Sequence, residues 1–163
     1  MDDERPETVR ELFDAEYGPM VRLATLITGD VASAEDVVQE AFARALARWH
    51  RIRTYDRPGA WVRRVTIRLA VRDRTRRQRE LVAPVADQPR AEPAPDPDLL
   101  DALRTLPAKQ RAALVLFYFE GIPSEEIATL LGVAPSTARS LLHRGRATLA
   151  HRLALPEMIA DGH

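Results

Sequence analysis

Apolar residues recur at three- and four-residue spacing in segment after segment of this chain, the period of amphipathic helices. The first such run starts near Val9 and takes in Leu12, Phe13, Tyr17, Met20, Val21, Leu23, Ala24 and Ile27. Thr8, with Glu11 three residues on, forms a capping box ahead of it. Gly18-Pro19 predicts a kink or a local tightening inside the run, and Gly29-Asp30 its end. A second helix is predicted from Ala34 to Arg48, capped by Ser33 and Asp36, with Val37, Val38, Ala41, Phe42, Ala45 and Leu46 as its apolar face. The stretch WHRIRTYDRPG then reads as a loop, basic and aromatic, whose Trp49 and Tyr55 suit either a core cap or a stacking surface for an unpaired base. A third helix follows from Ala60 to about Gln78, with Asp56 as its cap, Pro58 near its first turn, and a buried stripe of Trp61, Val62, Val65 and Leu69.

The pattern then breaks. APVADQPRAEPAPDP holds five prolines and almost no large apolar side chain, so it cannot pack a core and reads as a linker. Beyond it, Asp96-Pro97 supplies a cap and a first helical residue for Leu99, Leu100, Leu103 and Leu106. Pro107 opens a further helix that keeps Ala112, Leu114, Val115, Leu116, Phe117 and Phe119 mostly inside and stops at Gly121. The expected organisation is all-α: a domain over 1–82, an acidic Pro-rich linker over 83–97, a second small domain over 98–155 and a tail over 156–163.

The segment from Ile122 to Leu153 is the most specific. Ile127, Leu130 and Leu131 share one face of a short helix, and Gly132 follows where a sharp turn needs a residue tolerant of positive φ. Val133 is placed to plug the gap, and Pro135 sits at a first helical position. The next helix begins with Ser136, Thr137, Arg139 and Ser140 and continues to His143, Arg144 and Arg146. Between Ala134 and Leu155 it carries no acid. This is a helix-turn-helix pattern whose second helix would enter a DNA major groove.

Charge changes how the N-terminal half reads. The chain is neutral overall, but residues 1–40 carry a net −8 and residues 41–82 a net +10. Arg64, Arg68, Arg72 and Arg76 repeat every four residues, with Arg63, Arg74, Arg77 and Arg79 thickening the ridge and Asp73 as the obvious neutralising acid. Like charges at this spacing destabilise a helix by about 0.2–0.5 kcal/mol per pair, a cost that a polyanion relieves. Asp36, Gln39 and Glu40 lie outside the apolar face of the second helix, as a solvated dipole complement or as a face for docking a protein.

Other chemistry finds little support. There is no cysteine, so disulfides and thiolate metal sites are excluded. His50, His143, His151 and His163 are scattered, and no metal or cofactor is expected. No Ser-His-Asp order, phosphate-binding loop or dinucleotide glycine motif occurs. The pairs Glu35/Asp36 and Glu125/Glu126 sit at helix starts, where the dipole accounts for them, so the chain is not expected to be an enzyme. The acidic start is no signal peptide and no run approaches a membrane span, so a cytoplasmic protein without membrane insertion is expected.

Three stretches in order carry a family resemblance: AEDVVQEAFARALARW, then PGAWVRRVTIRLAVRDRTRR, then LRTLPAKQRAALVLFYFEGIPSEEIATLLGVAPSTARSLLHRGRATL with its LP-x-x-x-R, EIA-x-LLG and H-R-G-R runs. Together they resemble RNA polymerase sigma factors of the extracytoplasmic-function (ECF) type. That resemblance implies a non-catalytic factor that binds core RNA polymerase, recognises −35 and −10 promoter elements and assists melting. It implies that Asp36, Gln39, Glu40 and Arg44 dock on the clamp of the largest polymerase subunit, and that the β flap contacts the C-terminal domain. It implies −10 contacts from Arg53, Tyr55, Asp56, Arg57, Trp61, Arg64, Arg68, Arg72 and Arg76. It implies −35 contacts from Ser136, Thr137, Arg139, Ser140, His143, Arg144 and Arg146. With no long C-terminal regulatory domain expected, restraint would come from a separate anti-sigma factor. The recognition helix departs from the frequent Gly-Thr-Val-Lys-Ser-Arg start: Leu141 stands at a commonly basic position, left to pack or to touch a thymine methyl. A plain helix-turn-helix regulator explains 98–155 equally well, but neither the arginine ridge nor the acidic helix.

Overall fold

The computed structural model describes residues 5–79 and 97–153, all of whose regular elements are helices. They are α1 (Val9–Thr28), α2 (Val31–Ala47), α3 (Trp49–Ile52), α4 (Pro58–Arg79), α5 (Pro97–Arg104), α6 (Ala108–Tyr118), α7 (Ser124–Leu131) and α8 (Pro135–Leu153). The linker assigned to 83–97, the Asp96 cap and the tail over 156–163 lie outside the described residues, apart from Pro97, which opens α5.

The start of α1 follows from its capping residues. Thr8 Oγ1 accepts a hydrogen bond from the Glu11 amide at 3.1 Å, while the Glu11 carboxylate reaches back past Thr8 to the Glu7 amide at 2.8 Å. The helix runs through Pro19, which sits on the exposed side of α1, so the backbone bond it forgoes is lost from the solvent-facing side and not from the core. Gly29, at φ 81°, ends it in the left-handed region. The cap of α2 differs from the expected Ser33 and Asp36 pair. Asp30 is the N-cap, and its Oδ2 accepts from both the amide and the hydroxyl of Ser33. Gly29 therefore closes one helix and Asp30 opens the next with no loop between them. The expected loop after α2 likewise contains a short helix, α3, pinned by the buried Ile52.

Helices α1, α2 and α4 pack around Leu12, Met20, Ala24, Val38, Ala41, Phe42 and Val62, with Phe13 stacked on Tyr17 at 4.5 Å and edge-on to Phe42 at 5.0 Å. Thr66 belongs to this buried face although it reads as polar; its hydroxyl donates to the Val62 carbonyl at 2.8 Å, which makes burial affordable. The second cluster is built by α5 to α8, but it also takes in Leu23, Leu26 and Ile27 of α1, Val37 of α2 and Ile67 and Ala70 of α4. The two halves of the chain therefore share a core. Fully burying a residue such as Ile27, Ile67 or Leu103 contributes about 1.5–3 kcal/mol each. Gly145 lets α8 lie close on α6: a Cβ there would meet Leu114 Cδ1 at 2.9 Å.

Candidate nucleic-acid interface

The helix-turn-helix is built by α7, the turn at Gly132 (φ 67°) and α8. Val133 donates its amide to the Ala128 carbonyl at 2.9 Å and packs on the core, which fixes the angle between the two helices. Ala138 and Leu142 bury the inner face of α8. With that side committed, Ser136, Thr137, Arg139, Ser140, His143 and Arg144 are left exposed on the outer face. A concave surface of about 700 Å³ runs beside them, with Ser124 and Phe117 on its far wall. Arg146 stands apart. It is half-buried, its guanidinium lies 5.0 Å from the Phe117 ring centre, and its Nε donates to the Tyr118 hydroxyl at 2.7 Å. Leu141 packs against the core, one of the two options its sequence position left open.

The second basic surface lies on α4. Arg64, Arg68, Arg72 and Arg76 are all exposed, along one side of the helix. Arg76 pairs with Asp73 at 3.4 Å. Arg68, Arg72, Arg76 and Arg79 also form one wall of a groove of about 570 Å³, completed by Lys109 and an apolar floor of Val71, Leu130 and Leu131. At the N-terminal end of α4, Arg53, Tyr55, Asp56 and Arg57 are exposed in the turn after α3. Asp56 faces Arg5 at 3.6 Å. Trp61 is half-buried against the N-terminal core, so only part of its ring faces solvent. Trp49 is also half-buried, and its indole N–H donates to the Glu7 carbonyl at 3.2 Å.

On α2, Asp36, Gln39, Glu40 and Arg44 share the exposed face with Ala43 and Leu46; Leu46, expected on the apolar face, is 67% exposed. Arg44 Nε bonds Glu40 at 3.0 Å. Asp36 and Glu40 border a recess of about 270 Å³ whose opposite side carries Arg72 and Arg76. An acidic strip and the basic ridge of α4 thus lie side by side, an arrangement suited to two partners of opposite charge.

Not every arginine of α4 belongs to that ridge. Arg63 pairs with Glu120. Arg74 and Arg77, read from the sequence as thickening the ridge, turn inward. Arg77 donates to the Thr28 carbonyl at 2.7 Å and bonds Asp73 at 3.0 Å; Arg74 donates to the Arg104 carbonyl at 2.7 Å. The reason is helical period: Ile67, Ala70, Arg74 and Arg77 fall on one stripe, and that stripe faces the C-terminal half. Burial, with Arg77 and Arg104 close by, holds the Arg74 guanidinium below its ordinary pKa. Arg111, the arginine of LP-x-x-x-R, is fully buried, which burial statistics for arginine do not anticipate. Burial first, then Arg74, Arg104 and Arg77, lower its pKa to about 9, so it is still charged at neutral pH.

Among the described residues, no group of three or more His, Cys, Asp or Glu is placed to hold a metal, and no helix is long and apolar enough to cross a membrane.

Comparison with known proteins places these surfaces in context. Residues 12–80 match the family "Sigma-70 region 2" and residues 97–149 the family "Sigma-70, region 4". The chain is 34% identical over 161 residues to "ECF RNA polymerase sigma factor SigL" of Mycobacterium tuberculosis, covering 92% of this chain and 90% of that one. It is 37% identical to "ECF RNA polymerase sigma factor SigE" of Mycolicibacterium smegmatis, over 91% of this chain and 61% of that one. It is also 37% identical to "Probable RNA polymerase sigma factor RfaY" of Xanthomonas campestris, over 80% of this chain but only 36% of the relative. The chain thus spans less than two thirds of the length of two of these three relatives, 61% of one and 36% of the other. Among solved structures, the sigma factor RpoE of Bartonella quintana, in complex with the anti-sigma factor NepR, shares the fold with a TM-score of 0.71 at 24% identity, over 90% of this chain and 96% of that one.

Proposed function

The chain belongs to the ECF RNA polymerase sigma factors, and from that premise we propose that it binds core polymerase and directs initiation at promoters carrying −35 and −10 elements. The observation that carries the proposal is the pair of exposed basic surfaces on separate helices, α4 and α8, with an acidic strip on α2 beside the first. The outer face of α8 suits a duplex: Arg139 and Arg144 can meet guanine edges or phosphates, and Ser136, Thr137, Ser140 and His143 add shorter donors and acceptors. Arg146 acts on this face by bracing Phe117 and Tyr118 as well as by its charge.

The ridge of Arg64, Arg68, Arg72 and Arg76 suits a phosphate backbone, and the turn carrying Arg53, Tyr55, Asp56 and Arg57 offers an exposed aromatic with donors around it. Stacking of an unpaired base on an aromatic contributes about 1–3 kcal/mol, comparable with the few kcal/mol needed to take a base out of the duplex. Trp61, half-buried, presents a rigid edge at the same place. Capture of the exposed strand then favours melting. Asp36, Gln39, Glu40 and Arg44 form the polymerase-docking strip, charged at its edges and apolar at Ala43 and Leu46. The chain carries out no bond chemistry; phosphoryl transfer belongs to the polymerase, so the factor works in the cytoplasm where polymerase is. The domains responsible are 1–82 for core and −10 binding and 98–155 for −35 binding, with the linker 83–97 between them. Restraint by an anti-sigma factor fits the similar RpoE structure, which is a complex with the anti-sigma factor NepR.

The test is transcription. Core polymerase with this chain is expected to start RNA at a defined subset of genomic promoters. Arg64→Ala and Arg139→Ala should each weaken initiation, with helicity unchanged because both side chains are exposed. Absence of promoter-specific initiation anywhere in the genome would overturn the proposal, and full activity in both variants would overturn the assigned surfaces.

A further inference from the structure

Tyr118, the last residue of α6, is 45% exposed although it ends a helix that is otherwise largely buried. Its ring stands edge-on to Phe117, with centres 5.1 Å apart and planes at 75°. The two rings form a corner, and Arg146 of α8 sits in it. The Arg146 guanidinium carbon lies 5.0 Å from the Phe117 ring centre and 5.6 Å from that of Tyr118. Its Nε donates to the Tyr118 hydroxyl at 2.7 Å. The rings fix where the guanidinium lies, and the hydroxyl fixes which way its planar fork turns.

The partner matters electrostatically. Among the described residues, every other arginine whose side chain hydrogen-bonds another side chain takes a carboxylate: Arg44 takes Glu40, Arg76 and Arg77 take Asp73, and Arg104 takes Asp101. A carboxylate cancels the positive charge locally and repels a phosphate. A neutral hydroxyl orients the guanidinium and leaves its charge intact. Neither terminal nitrogen of Arg146 has a hydrogen-bond partner among the described residues, and no acid there lies within ion-pair distance of it. The same side chain lines the concave surface that carries Arg139, Ser140, His143 and Arg144. Ordering a long side chain at the moment of binding weakens the contact it makes, and this one is ordered beforehand.

We propose that Tyr118 is a positioning residue for duplex binding: its hydroxyl and ring hold the Arg146 guanidinium, charge intact, as a preformed contact for a backbone phosphate at the edge of the α8 face. The inference rests on the reading of α8 as the −35-binding helix. A guanidinium held on two sides suits a phosphate, which is present in every sequence, better than a base edge.

Tyr118→Phe keeps both rings and removes only the hydroxyl of an exposed residue, so thermal unfolding should be unchanged. In the isotope-labelled full chain, the Arg146 Nε–H resonance, identified by its absence in Arg146→Ala, should exchange slowly with water and become fast-exchanging in Tyr118→Phe. Affinity is read twice: for the full chain on a mixed-sequence duplex, and for the chain with core polymerase on the promoters it selects. Tyr118→Phe should weaken both by about 3–10-fold, the effect of having to order one long side chain on binding. The factor should be the same on every promoter, because a phosphate contact carries no sequence information. In an Arg146→Ala background, loss of the hydroxyl should change affinity by less than about 1.5-fold, since its effect runs through the missing guanidinium. An Nε–H exchange unmoved by Tyr118→Phe overturns the positioning role, as does full affinity in Tyr118→Phe or an equal loss in both backgrounds. A loss confined to some promoters overturns the phosphate assignment. If the chain with core polymerase selects no promoter, the sigma-factor reading falls, and the exchange and mixed-sequence duplex measurements still decide the role of Tyr118.

Discussion

Gly145→Ala isolates the packing of the recognition helix from its charge. Replacing a mid-helix glycine by alanine normally stabilises by about 0.5–1 kcal/mol, because alanine loses less backbone freedom on folding. Here the new methyl meets Leu114 Cδ1 at 2.9 Å and Cγ at 3.0 Å, with the Gln110 carbonyl oxygen at 3.5 Å behind. Leu114 is 1% exposed and packed in the core, so either α8 or the leucine must move. Overpacking of this kind costs about 1–3 kcal/mol. The clash outweighs the propensity gain, for a net loss of about 1 kcal/mol and a Tm lower by about 2–4 °C for a chain of this size. Urea titration should show a lower midpoint at unchanged slope, since the surface exposed on unfolding is the same. The second leg of the test is the same substitution in a Leu114→Ala background. There the obstructing carbons are gone and Gly145→Ala should stabilise by about 0.5–1 kcal/mol, so the pair couples. A Gly145→Ala that stabilises the native-background protein, or that costs the same in both backgrounds, refutes the close α6–α8 approach as the reason for this glycine.

Asp30→Ala removes the observed α2 cap and should cost about 1–2 kcal/mol in chemical denaturation, whereas Asp36→Ala, expected to cap from the sequence alone, should stay within about 0.5 kcal/mol. Gly29→Ala combines strain at φ 81° with a Cβ 3.0 Å from the Arg111 Nη atoms, and thermal unfolding should show a loss of about 1–3 kcal/mol. Arg64→Ala should lower the salt dependence of promoter binding by the polymerase-bound factor by close to one phosphate contact, read as a slope of log K on log salt shallower by about 0.7–0.9.

Much of the architecture was legible in the residue pattern because it depends on local rules. Helical spacing located all the long helices, Thr8 and Gly132 marked ends that depend on backbone geometry alone, and the four-residue repeat of Arg64, Arg68, Arg72 and Arg76 required exposure once the opposite face was buried. Order along the chain was enough to recognise the family. The Ser33 and Asp36 cap went wrong by three residues because Gly29 closes α1 so tightly that Asp30 can open α2 directly. Thr66 was missed because hydropathy counts its hydroxyl and not the Val62 carbonyl that satisfies it.

What no local rule contains is the destination of a charged side chain. Arg74, Arg77, Arg104 and Arg111 look like surface cations in sequence, since a lone arginine is almost always solvated. Only the packing of α5 and α6 onto α1 and α4 supplies the carbonyls that take them inward, and those carbonyls lie 30 to 85 residues away in the chain. Composition and periodicity determine that this protein is a string of helices with two basic surfaces. Whether those surfaces ride on one body or two is decided by tertiary contacts, because burying a guanidinium depends on which helix end it meets in space.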